Sequence, residues 1–150
     1  MRFRIVCQYI LLITIAISTF VSCNNDDYKT SANDVSDTIK EGTWTVSYFY
    51  DSNVDKTQNY VGYNFAFGNN TVVTVTKDSN TNTGSWSVSK STNDDDIYST
   101  IFNLAFGSPE ILIPLSGNWK VIENTGSSLK LKDDSKGDLA IDYLTFVKNN

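Results

Sequence analysis

Residues 42–50 read Gly-Thr-Trp-Thr-Val-Ser-Tyr-Phe-Tyr. Apolar and polar side chains alternate, so Trp44, Val46, Tyr48 and Tyr50 share one face. A period of two is that of a half-buried β-strand. The stretch just before it, 31–41, has a different character. Ser31 or Asn33 can cap a short helical turn there, and Gly42 ends it.

Downstream, the period-two pattern repeats between turn-forming clusters. Strands are predicted at 60–67 with Tyr63, Phe65 and Phe67 together, at 71–77, at 83–90 with Trp86 and Val88, and at 97–106 with Tyr98, Phe102, Leu104 and Phe106. Three more follow at 118–124, 127–132 and 138–148, and residues 110–114 read as a short extended piece. Gly-Asn-Asn at 68–70 and the Asn-, Asp- and Ser-rich segments at 51–59, 78–82 and 91–96 supply the turns. The pattern predicts an all-β domain, an up-and-down antiparallel barrel of about eight strands, with a two-sheet sandwich as the alternative. A closed barrel leaves no strand edge open.

The opening motif recurs. Gly42-Thr-Trp44-Thr-Val46, Gly84-Ser-Trp86-Ser-Val88 and Gly117-Asn-Trp119-Lys-Val121 share the form Gly-x-Trp-x-Val and contain all 3 tryptophans. A glycine at each strand start allows a sharp turn, and the tryptophan then points inward as a core anchor. Core packing, rather than a ligand platform, is the reading adopted for these indoles.

The N-terminus is of another kind. Arg2 and Arg4 precede an apolar run from Ile10 to Val21, and small Ser22 precedes Cys23. This is the layout of a secretory signal peptide, with an uncleaved N-terminal anchor as the alternative. A membrane-spanning helix needs about 20 predominantly apolar residues, which the run lacks. Phe20-Val-Ser-Cys23 resembles a bacterial lipobox, with phenylalanine where leucine is usual. That resemblance implies lipidation of Cys23 and cleavage before it. Two or more acyl chains make a stable anchor where one is marginal. With 2 cysteines in the chain, Cys7 leaves with the leader and no disulfide is available. Asp26 and Asp27 behind the cysteine resemble the acidic surface-export signal of Bacteroidota lipoproteins. The implied location is the outer membrane, lipid-anchored and facing the cell surface, with the periplasmic face as the alternative. The expected organisation is a leader at 1–22, a lipidated terminus and flexible tether at 23–38, and a barrel domain at 39–150.

Loss of Arg2 and Arg4 with the leader moves the net charge from −5 to −7. An acidic chain without a basic block argues against nucleic acid as a partner and against attraction to anionic lipid.

Taken in order, the motifs resemble those of Bacteroidota lipocalin-like domain lipoproteins over nearly the whole mature chain. They are the Gly-x-Trp opening, the aromatic strand Gly62-Tyr-Asn-Phe-Ala-Phe67, the middle Gly-x-Trp, Leu115-Ser-Gly-Asn-Trp119 and the closing Leu144-Thr-Phe-Val-Lys148. The resemblance implies that Lys148 packs on Trp44 as a cation–π pair. The Thr-Asp-Tyr motif of true lipocalins is absent from the middle of the chain. Ile141-Asp-Tyr143 echoes it only in part.

Catalytic chemistry is sparse. The chain has no histidine, the commonest general base and metal ligand, and no Gly-x-Ser-x-Gly elbow or phosphate loop. Three acidic loops, at 51–55, 78–82 and 94–96, imitate calcium sites but read as solvated turns. The first is followed by Lys56, and the second has Thr83 where an EF-hand needs glycine. No enzyme, cofactor or metal is expected. The expected function is binding of a small apolar or glycan-derived ligand at a barrel mouth lined by Tyr48, Tyr50, Tyr60, Tyr63 and Tyr98. The alternative is a structural or accessory protein that docks another envelope protein.

Overall fold

The computed structural model describes residues 31–91, 99–135, 137 and 140–150. Cys23, Asp26, Asp27, Tyr98 and the acidic run at 94–96 lie outside the described residues.

One short helix, α1 (Ala32–Ile39), precedes nine strands: β1 (Trp44–Asp51), β2 (Val54–Asp55), β3 (Asn64–Phe67), β4 (Val72–Lys77), β5 (Asn80–Lys90), β6 (Thr100–Ala105), β7 (Gly117–Asn124), β8 (Ser128–Asp133) and β9 (Asp142–Lys148). All pairings are antiparallel, and chain neighbours are sheet neighbours, apart from two-residue β2, which hangs on β1. β9 returns to pair with β1 from Trp44↔Lys148 to Tyr50↔Tyr143. The sheet therefore closes into an eight-stranded up-and-down barrel plus one extra strand. This is the expected barrel and not the sandwich, and its geometry fits a lipocalin-like architecture.

The interior is built of rings meeting edge to face. Phe67 contacts Trp86, Phe102 and Phe146 at centroid distances of 5.6, 5.6 and 5.7 Å. Phe65 meets Phe146 at 5.2 Å. Such pairs add to the large apolar area that each ring removes from water. The lower end, where β1 begins and β9 ends, is closed by α1, whose Val35 and Ile39 are fully buried. Ser31 caps this helix by accepting the Asp34 N–H. Residues 32–38 thus belong to the barrel domain rather than to a tether. The upper end is closed by the 106–116 connection, which buries Leu112 and Leu115. That connection turns into a 3-10 helix at Ile113–Leu115, so 110–114 is not extended. Pro114 in its first turn has no N–H to lose to a ladder and favours this outcome.

The three glycines of the repeated motif act differently. Gly42 takes φ +76°, the sharp turn expected of it. Gly84 lies inside β5 and not at a strand start. A Cβ there would stand 2.5 Å from the Phe106 ring and 2.6 Å from the Ala105 carbonyl. Gly117 opens β7 against the Trp119 indole.

Two one-residue bulges reset the alternation. In β1 the pairing steps from Val46↔Phe146 to Tyr48↔Thr145, leaving Ser47 extra. The face then switches, so Phe49 enters the core while Tyr48 and Tyr50 turn outward. Strict alternation of Trp44, Val46, Tyr48 and Tyr50 fails for this reason. In β7 the extra residue is Ile122, and the switch brings Asn124 inward to donate to Thr38 Oγ1 of α1 at 3.3 Å.

Phe49→Ala is expected to cost about 3–5 kcal/mol in denaturant unfolding, whereas Tyr48→Ala stays within about 0.5 kcal/mol. Equal losses would contradict the bulge. Gly84→Ala is expected to cost about 1–3 kcal/mol, and Gly126→Ala, where a Cβ meets nothing within 4 Å, far less.

Candidate functional site

The long upper connections bring two chain segments together. After β1 the chain turns through Ser52 and Asn53, both at positive φ, into β2 and then a 3-10 helix at Thr57–Tyr60. Three bonds hold this segment on the barrel. Lys56 donates its backbone N–H to the Phe49 carbonyl at 2.8 Å, the Phe49 N–H donates to Thr57 Oγ1 at 2.9 Å, and Lys56 forms an ion pair with Asp51. The Ser52 N–H donates to the buried Asp142 carboxylate of β9 at 2.8 Å. Tyr60 then spans to the second segment, its hydroxyl donating to the Ile111 carbonyl at 3.0 Å.

Between the segments lies an open groove of about 590 Å³, lined by Lys56, Asn59, Tyr60, Pro109, Glu110, Ile111 and Pro114. Its volume falls in the range of small-molecule sites. Ring and aliphatic carbon line it together with one ammonium, which is paired to Asp51, one carboxylate and one carboxamide. Burial pushes the Tyr60 phenol up to about 12, helped by the negative charge of Asp51 and by Tyr63. Tyr60 is therefore a neutral donor at physiological pH. A smaller depression of about 360 Å³ lies on the outer wall of β5–β7 over Ser85, Ser87, Asn103 and Asn118.

The tyrosines proposed as a barrel lining do not gather in one place. Tyr60 is buried as part of the upper closure, and Tyr63 leans on it at 6.3 Å under the Lys77 ammonium, 4.5 Å above the ring. Tyr48 and Tyr50 sit on the outside of the wall, turned out by the β1 bulge. The groove residues between Pro109 and Pro114 were not singled out in the sequence. The signal available was that these are the only 2 prolines in the chain, a mark of loop structure.

The three tryptophans are core, with Trp44 fully buried. Trp44 and Lys148 are direct cross-strand partners, but the expected cation–π pair gives way to an ion pair. The Lys148 stem crosses Gly42 and its ammonium meets Glu41 at 3.1 Å. A charge is costly over a fully buried ring, while the exposed carboxylate lets it stay hydrated. Glu41 pairs with Lys148 and Glu123 with Lys130, whereas Glu110 lines the groove. Among the described residues no group of three or more acids could hold a metal ion. The 78–82 loop contracts to a turn at Asp78, with Asn80 and Asn82 inside β5.

Compared with family models, curated proteins and solved structures, the chain matches none.

Tyr60 gives the groove a pH signature. Its folded pKa exceeds the ordinary value of 10.0, so only the unfolded chain ionises between about pH 10 and 12. Stability is then full below pH 10 and falls as pH rises through that window. Tyr60→Phe is expected to flatten this alkaline slope in pH-dependent thermal melts while lowering stability at neutral pH by about 1 kcal/mol for the lost hydrogen bond.

Proposed function

We propose that the chain is a lipid-anchored lipoprotein of the outer membrane, of the lipocalin-like kind that its motifs resemble, and that its barrel is a non-enzymatic binding module. The ligand is small and apolar or glycan-derived, and it sits in the groove at the upper end rather than in the barrel axis. The observation that carries this reading is the groove itself: an apolar lining of Tyr60, Pro109, Ile111 and Pro114 with three polar groups beside it. Few, well-placed polar groups around apolar surface are the usual make-up of a small-molecule site. The placement of α1 at the opposite end supports it as well. Lipid on Cys23 would attach the chain through the α1 end, opposite the groove. The absence of histidine favours binding over catalysis.

A second reading, an accessory protein that docks another envelope protein, is favoured by the ring-packed interior. Native mass spectrometry of the protein after incubation with an extract of envelope lipids and glycans separates the two. A discrete added mass that disappears in Asn59→Trp, which fills the groove from an exposed position, supports the first reading. A mass unchanged across extracts moves the assignment to the second. Cys23→Ala is expected to shift the protein from the membrane to the soluble fraction, with its leader uncut. Unaltered fractionation and processing would remove the anchor from the proposal.

A further inference from the structure

The bulge that sends Phe49 inward places aromatic surface on the outer wall. Tyr48 is 40% exposed. Its ring lies nearly parallel to that of Tyr50, with an interplanar angle of 11° and a centroid distance of 6.3 Å. Tyr50 stands directly opposite Tyr143 across the β1–β9 ladder, next to the inward pair Phe49 and Leu144. Tyr143 therefore shares the outward face. None of the three phenols hydrogen-bonds to a described residue. Their exposure is not required by packing, because the core on this side is completed by Phe49, Leu144 and Phe146.

The lysines beside these rings are paired, while the exposed Asp55 carboxylate of β2, directly opposite Tyr50, has only Thr57 as a hydrogen-bond partner among the described residues. Lys132 of β8 is opposite Tyr143, and Lys130 is opposite Thr145. Lys132 reaches Asp134 at 2.7 Å and Lys130 reaches Glu123 at 2.9 Å. The Lys132 bond, foremost, holds the Asp134 carboxyl below its ordinary value. On the other side Asp51 is taken by Lys56.

The wall thus offers flat ring faces, hydroxyl tips that no described residue takes up, paired lysines and one exposed carboxylate. A flat wall covers one side of whatever lies on it. A wholly apolar molecule would leave its other side in water, and an anionic one meets Asp55 while Lys130 and Lys132 are already paired. A saccharide ring has an apolar C–H face and a rim of hydroxyls, so one-sided contact buries what is apolar and leaves the rim to water and phenol groups. We propose that Tyr48, Tyr50 and Tyr143 form a second ligand site, on the barrel wall, that takes the ring faces of an uncharged oligosaccharide. The site shares no residue with the upper groove and stands or falls independently of it.

The test is titration of the purified protein with cellohexaose, xylohexaose and maltohexaose, followed by calorimetry and by the NMR signals of the tyrosine rings. Saturable binding to at least one is expected, with shifts at Tyr48, Tyr50 and Tyr143. Tyr48→Ala should weaken it about tenfold, the loss of roughly one stacking face, and the Tyr48→Ala/Tyr50→Ala double variant should abolish it. Both variants should keep the parent melting temperature to within a few degrees, since the residues are outside the core. Asn59→Trp, whatever the groove binds, should leave the sugar-induced shifts at Tyr48, Tyr50 and Tyr143 in place. Four results would each overturn the proposal. They are no saturable binding to any of the three sugars, undiminished binding in the double variant, loss of the tyrosine ring shifts in Asn59→Trp, and ring signals that move with protein concentration alone through a dimer that the double variant dissolves.

Discussion

Three indole N–H groups hold the closures of this barrel in place. Trp44 donates to the Ile39 carbonyl at 2.8 Å, Trp86 to Gly68 at 3.1 Å and Trp119 to Leu115 at 3.0 Å. Each acceptor lies in a segment outside the ladders: the last residue of α1, the β3–β4 turn and the last residue of the upper 3-10 helix. A buried indole N–H needs a partner, and a helix end has carbonyls that lack one. One bond satisfies both groups. The tryptophan thereby fixes both the ring in the core and the segment that seals the core. The barrel depends on this because strand pairing closes its wall but leaves two apolar ends to be covered.

The same side chains explain why the core is continuous from end to end. Phe49 sits between Tyr60 of the upper closure and Trp119, at 5.4 and 6.3 Å. Phe65 links Phe106 at the upper connection to Phe146 in the middle. A hollow axis would need smaller residues at these positions. With rings there, the concave surface is displaced to the loops, and the groove beside Tyr60 is made by the very residues that seal the upper end.

Much of the fold was legible because the barrel obeys a local rule. Side chains alternate along each strand, and Phe65, Phe67, Phe102, Leu104, Leu129, Leu131, Leu144 and Phe146 all lie inward as the period requires. The repeated Gly-x-Trp marked three buried anchors. The bulges were not legible, since an extra residue in one strand is defined by the pairing partner, and Ser47 and Ile122 look like ordinary alternating positions. That single blind spot moved Tyr48 and Tyr50 from the interior to the exterior. The site was less legible than the fold for a related reason. Its residues come from two connections, 56–60 and 109–114, whose meeting depends on the Tyr60–Ile111 bond and on no periodicity. Lys148 was placed correctly by its motif on the ladder. Its ammonium went elsewhere because Glu41, not the indole, offered a hydrated partner.

The burial of Val35 and Ile39 makes α1 the point where the upstream chain is mechanically joined to the domain. Tension transmitted through residues before Ser31 enters through a helix seated across the barrel floor, held by the Thr38–Asn124 and Ile39–Trp44 bonds. It does not pull β1 away from β9 one rung at a time. The floor would come off as a unit first, with the eight-stranded ladder still closed, so the helix acts as the strain relief between a pulled chain and the wall.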